Sequence, residues 1–109
     1  MPYESIMVRT FGASPIVKVL DYIIGNDMFD YPKTEVARGS SVSRDTLNRL
    51  WPRLVESGIL KKTRTLSGIA MYSIDKNNPI AKKLIELDFA ISSQFADEEI
   101  QRQAKAIPA

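Results

Sequence analysis

The chain has 109 residues and contains no cysteine and no histidine. That length suits one domain with a modest core. The two absences exclude a disulfide framework, thiolate and imidazole metal sites, the usual general base and the thiol nucleophile.

The net charge is only +2, but it is polarised along the chain. Residues 33–64 carry eight bases against three acids, a local balance of +5. Residues 84–109 carry five acids against two bases. Such a distribution is expected if the middle of the chain meets an anion, although solvated faces are charged for blander reasons too. No stretch reads as a signal peptide, and none approaches the roughly 20 apolar residues of a membrane span. A cytoplasmic protein with no membrane partner is the expectation.

Residues 1–12 fit either a short strand or a helical turn. Ser14-Pro15 then starts a helix, with a hydroxyl cap followed by a proline where no amide partner is needed. Ile16, Val19, Leu20, Ile23 and Ile24 follow at helical spacing, and Gly25-Asn26 ends the run. Residues 28–32 form a connector that Met28, Phe29 and Tyr31 are expected to pin to the core. A short second helix spans 33–38, with Val36 and Ala37 inward, and Gly39-Ser40-Ser41 is a turn.

Ser43 caps the next helix, with Asp45 in its first turn, where the positive end of the dipole favours a carboxylate. Leu47, Leu50, Trp51, Leu54 and Val55 form its apolar stripe. Arg44, Asn48, Arg49 and Arg53 lie on the other face. Pro52 falls in the middle, where it cannot donate to the carbonyl of Asn48, so a kink rather than a break is expected. Gly58 suits the left-handed turn after the helix. Residues 59–65 and 70–74 are rich in strand formers around a short loop containing glycine, which reads as a hairpin. Asn78-Pro79 starts a last helix, in which Ile80, Leu84, Leu87, Ile91 and Phe95 form one stripe and Ile85 and Phe89 begin a second. That helix extends to about residue 103 and frays by Pro108.

This element order is that of a winged helix-turn-helix: mainly α within the α+β class, with a three-helix core, a two-stranded wing and a C-terminal helix, in a single domain covering 1–109. A helix whose apolar stripe is buried presents its opposite face to a major groove, N-terminal residues foremost. The recognition helix is then 43–57 and the wing 59–74. Arginine bonds both acceptors of guanine, and asparagine does the same to adenine, so Arg44, Asn48 and Arg49 suit base reading. Asp45 suits helix capping better. Lys33, Thr34, Ser41, Ser43 and Arg53 suit phosphates, and Lys62, Arg64 and Ser67 suit flanking DNA from the wing. The alternatives are solvated arginines on an exposed helix, and lysines that keep an edge strand soluble. Trp51 and Tyr72 belong to the core.

Three stretches resemble small archaeal winged-helix DNA-binding proteins, related in fold to the ArsR- and MarR-type transcription regulators. They are FGASPIVKVLDYII, then DYPKTEVARGSSVSRDTLNRLWPRLVESGILKKTR, then YSIDKNNPIAKKL. The shared marks are an S-R-x-T-L-x-R start, a mid-helix proline, an L-x-x-x-G-I-L exit and an N-P-I-x-K-x-L entry. The resemblance implies sequence-specific DNA binding as a homodimer, with contacts from Ser43, Arg44, Asp45, Asn48 and Arg49 and from Arg64 in the wing. Metal-sensing members of the ArsR type use cysteine or histidine ligands, which this chain lacks, so no metal or other cofactor is expected.

Dimerisation has separate support in the two stripes of the last helix (79–103), since a small domain covers only one comfortably. Ile85, Phe89, Phe95 and Ile100 are the candidate partner surface. The alternative is that both stripes pack within one chain against residues 1–11. The competing function is a winged-helix protein–protein interaction module that touches no nucleic acid. An enzyme is not expected, because no nucleophile–base pair or phosphate-binding glycine loop appears. Asp97, Glu98 and Glu99 read as a solvated helix end rather than a metal site. The sequence indicates no small-molecule effector.

Overall fold

A computed structural model describes residues 5–106. In chain order the elements are α1 (Ile6–Phe11), α2 (Pro15–Gly25), β1 (Tyr31–Pro32), α3 (Lys33–Ser40), α4 (Arg44–Glu56), β2 (Leu60–Leu66), β3 (Ile69–Ile74) and α5 (Pro79–Ala106). The architecture is mainly helical α+β with a three-stranded antiparallel sheet, consistent with a winged-helix-like fold. Residues 6–11, undecided from the sequence, are helical, and Ser5 Oγ caps them by accepting from the Val8 amide at 3.1 Å.

The core collects one face from each middle element. Val19, Ile23 and Ile24 of α2 meet Val36 and Ala37 of α3, Leu47, Trp51 and Leu54 of α4, Leu60 and Ile74 of the sheet, and Ala81 of α5. On α4 the buried residues stand at i, i+4 and i+7, so one stripe holds the helix down. Trp51 is buried in the core, as its place in the apolar stripe predicts, and meets edge-on at 5.0 Å the ring of Tyr72, which is half-buried and packs against the core rather than within it. Gly39 lets α3 approach the Tyr22 ring, where a Cβ would stand 2.1 Å from Cε2.

The sheet has one strand more than the expected hairpin. Its order is β1-β3-β2, with Tyr31 opposite Tyr72 and Pro32 opposite Met71. Pro32 has no N–H to give and is accommodated because β1 is an edge. The connector before it differs from expectation as well. Tyr31 packs edge-on against Tyr22 at 5.7 Å, but Met28 and Phe29 are exposed. The tyrosine is drawn in by its strand pairing, whereas Met28 and Phe29 precede any pairing.

Two joints orient the second half of the chain. Asn78 Oδ1 accepts from the Ala81 amide and caps α5, while Asn78 Nδ2 donates to the Ser57 carbonyl at the end of α4, both at 3.0 Å. Gly58, at φ +81°, makes room for that amide group, since a Cβ there would lie 2.6 Å from Asn78 Nδ2. α4 itself runs unbroken across Pro52, which lies on the solvent side, where water can take the place of the missing donor.

α5 divides its apolar residues. Leu84 and Ile85 pack on the core, and Phe95 lies under the Arg9 guanidinium of α1 at 4.5 Å. Phe89 and Ile100 remain 73% and 64% exposed. Asp88 faces inward, and burial, reinforced by the Asp21 carboxylate of α2, pushes its carboxyl above the usual range. Fraying near Pro108 lies outside the described residues. No helix among the described residues is long and apolar enough to cross a membrane.

Leu47 is fully buried in the α4 stripe. Leu47→Ala is expected to cost about 2–5 kcal/mol of folding free energy, measured by urea denaturation with two probes.

Candidate nucleic-acid interface

The buried stripe leaves the opposite side of α4 to solvent. Ser43 Oγ caps the helix by accepting from the Thr46 amide at 3.2 Å and donates to Thr46 Oγ1 at 2.9 Å. Asp45 stands in the first turn, as the helix dipole favours. Arg44 and Asn48 are four residues apart and form one row. Asp45, Arg49 and Arg53 form the next, and all five are exposed. The helix N-terminus, with its own partial positive charge, thus carries Arg44 and Arg49 outward together.

A second wall stands beside the Arg44–Asn48 row. Pro32, Lys33 and Thr34 from the start of α3 and Ile69, Ala70 and Tyr72 from β3 complete a groove of about 340 Å3. Lys62 is paired with Tyr72 across the ladder, which puts it on the sheet face that lines this groove. Within the groove Lys33 Nζ donates to Asn48 Oδ1 at 2.9 Å and lies 5.6 Å from the Trp51 ring centroid. The lysine therefore occupies the acceptor that asparagine would offer to adenine N6. Ser41 ends α3 in the left-handed conformation at φ +58°, and its carbonyl accepts from Lys18 Nζ at 3.0 Å. Ser67 lies in the hairpin turn at φ +50°.

Arg64 is placed differently from the other predicted contacts. A bulge at Thr63 shifts the β2 register, so that Arg64 stands opposite Met71. Its guanidinium pairs with Asp30 through Nε at 2.8 Å and Nη2 at 3.0 Å, and Thr63 Oγ1 donates to the same carboxylate at 2.5 Å. Arg64 lines a separate hollow with Asp27, Met28, Phe29 and Ser73. The hydrogen bonds from Arg64 and then Thr63 hold the Asp30 carboxyl at about 2, and Asp30 in turn raises the arginine.

Sequence reasoning singled out Lys33, Thr34, Arg44 and Asn48, which line one groove, and Lys62, which is exposed on the adjoining sheet face. It missed Asp30, because a carboxylate 34 residues from its partner leaves no local signal. It also missed Ile69 and Ala70, which read only as strand or loop residues.

No family model and no curated relative matches the chain. Similar folds are found among solved structures. Sso10a-2, a DNA-binding protein from Sulfolobus solfataricus, superposes with a TM-score of 0.52 at 16% identity, over 84% of this chain and 96% of that one. A possible transcriptional regulator from Methanosarcina mazei Go1 superposes with a TM-score of 0.51 at 19% identity, over 84% of this chain and 77% of that one. At these identities the likeness establishes a shared fold.

The Asp30 carboxyl lies below the ordinary carboxylate value near 3.9. Its ion pair therefore contributes stability above about pH 4 that is lost as pH falls through about 2. Side-chain NMR titration is expected to place the Asp30 midpoint near 2. In Arg64→Ala it should move up toward the ordinary value.

Proposed function

We propose that this protein is a cytoplasmic, homodimeric, sequence-specific double-stranded DNA-binding transcription regulator with no catalytic activity. In this reading α2, α3 and α4 form the three-helix core of a winged helix-turn-helix of the ArsR/MarR type, and the β2–β3 hairpin is its wing. The observation that carries it is the exposed pair Arg44 and Arg49 on the N-terminal half of α4, beside a groove that Lys33 also lines, with Lys62 exposed on the adjoining sheet face. The two solved structures reported above are described as a DNA-binding protein and a possible transcriptional regulator, which supports the same reading.

Arg44, Asn48 and Arg49 read base edges in the major groove, and Asp45 serves the helix end. Lys33, Thr34, Ser41, Ser43 and Arg53 contact phosphates on either side. On approach, a phosphate draws Lys33 away and frees Asn48 Oδ1 for adenine. Lys62 and Ser67 contact flanking DNA, and Arg64 joins them only by giving up Asp30. An interaction module would present apolar side chains where Arg44, Asn48 and Arg49 are exposed, so the alternative is the weaker one.

The proposed dimer uses α5. Phe89, Ser93, Ala96 and Ile100 stand at i, i+4, i+7 and i+11, and all are exposed. They form one face with small residues at its centre, suited to close approach of a second α5. Ile85 and Phe95 contribute from the edges, since each is already half-covered within the chain. A two-fold pair would carry two copies of α4 to successive major-groove faces about 34–36 Å apart.

The deciding experiment selects bound duplexes from a random pool at two salt concentrations. Enrichment of one motif at both is expected, and an unenriched pool would reject specific recognition. Arg49→Ala is expected to weaken the selected site by about 1–3 kcal/mol more than random DNA. Lys62→Ala should weaken both equally and lower the salt slope by about 0.9. Equal loss on both duplexes in Arg49→Ala would reject base reading by that residue. For the dimer, sedimentation should give twice the chain mass, and Phe89→Glu/Ile100→Glu should return it to the monomer.

A further inference from the structure

The hairpin ends in two residues that the DNA-binding reading leaves unused. Leu66 and Ile69 are partners in the last rung of the β2–β3 ladder. Ser67 and Gly68 join them, at φ +50° and +78°. Two central residues with positive φ make the primed turn that matches strand twist, so the tip is tight and holds its two flanking side chains side by side. Leu66 is 44% and Ile69 55% exposed, and neither belongs to the core.

The hairpin below this apolar tip carries cations. Residues 60–74 contain Lys61, Lys62 and Arg64 and no acid, although Arg64 pairs with Asp30 and Lys61 with Asp75. Ile69 also forms part of the hairpin wall of the groove whose far side is Lys33, Arg44 and Asn48. An apolar point beside a groove lined by Lys33 and Arg44, with Lys62 on the adjoining sheet face, matches a partner with an anionic rim and an apolar interior. Duplex DNA has that order, with phosphates outside and stacked base faces within. If the groove holds one sugar–phosphate strand, α4 and the hairpin tip lie on opposite sides of that strand. A strand separates a major groove from a minor groove, so the tip then faces the minor groove.

We propose that Leu66 and Ile69 form a wedge that enters the minor groove flanking the site of α4, parts one base step and bends the duplex. The inference rests on the DNA-binding reading above. Aliphatic side chains inserted in this way partly unstack a step and bend DNA by roughly 20–90°. Pyrimidine–purine steps part most easily, so the wedge adds a preference for TA or CA/TG at a position that no polar side chain touches.

The test uses the full chain, the Leu66→Ser/Ile69→Ser variant, and duplexes of the selected motif labelled at both ends for energy transfer. Additional duplexes carry 2-aminopurine at successive flanking positions. Wild type is expected to shorten the end-to-end distance by a bend of roughly 20° or more and to brighten 2-aminopurine at one step. The variant should melt at the wild-type temperature, bind with the same salt slope, and leave the duplex straight and the reporter dark. A variant that bends DNA as wild type does, or a wild type that binds straight DNA, overturns the wedge and leaves the DNA-binding reading standing. Failure of wild type to bind any duplex removes that reading and the wedge with it. Tip-dependent binding to anionic phospholipid vesicles without DNA bending assigns the tip to a bilayer surface and likewise overturns the wedge.

Discussion

The burial of Leu47, Trp51 and Leu54 is the constraint on which the rest of the molecule depends. Three side chains at i, i+4 and i+7 fix α4 both in place and in rotation about its axis. Turning the helix by one residue would bring Asn48 into the core and carry Leu47 toward water. Burying an amide without partners costs about 1–3 kcal/mol, and exposing a buried leucine costs a similar amount, so the rotation is well determined. Arg44, Asn48 and Arg49 point outward because the leucines and the tryptophan point inward. The candidate interface is in this sense a by-product of the core.

What the helix faces is set by a different group of contacts. Tyr72 connects the sheet to α4 through the Trp51 ring, so the hairpin and the helix share one packing interface. Asn78 ties the end of α4 to the start of α5, and Asp30 ties the hairpin back to the connector before β1. The Asp30 contact holds Arg64 on the side of the sheet away from the groove. The charge available to an anion in the groove is therefore smaller than the sequence count suggests. Lys33 on Asn48 has a related effect, since a base must compete with a lysine already in place. Both contacts are exposed, and water and salt screen them, so they bias the site without closing it.

α5 shows how little of a long helix a small domain can cover. Its inner side is used by the core at Ala81, Leu84 and Ile85 and by α1 at Phe95. Even there it carries Asp88, whose ionisation is disfavoured by burial and then by the Asp21 carboxylate of α2. Covering by α1, one of the two outcomes open from the sequence, occurs at Phe95 but leaves Phe89 and Ile100 bare. The apolar residues of α5 thus serve two surfaces and make no single clean stripe.

Most of the local structure was legible in the residues. Ser43 and Asn78-Pro79 mark helix starts by capping, Pro15 marks another although the Ser14 hydroxyl makes no cap bond, Gly58 marks a stop, and the apolar spacing of α2 and α4 gives both their existence and their buried sides. These are short-range signals, because caps and periodicity act within a few turns of one segment. The third strand, the exposure of Met28 and Phe29, the Asp30–Arg64 pair and the Lys33–Asn48 contact were not legible. Each depends on residues far apart in the chain, such as the 34 positions between Asp30 and Arg64. Hydrophobic burial along a single segment was enough to say, from the residues alone, which helix turns a cationic face outward. That Arg44 shares a groove with Lys33, that an amide holds Lys33 and that a carboxylate holds Arg64 came only from the folded chain, because these are matters of proximity in space.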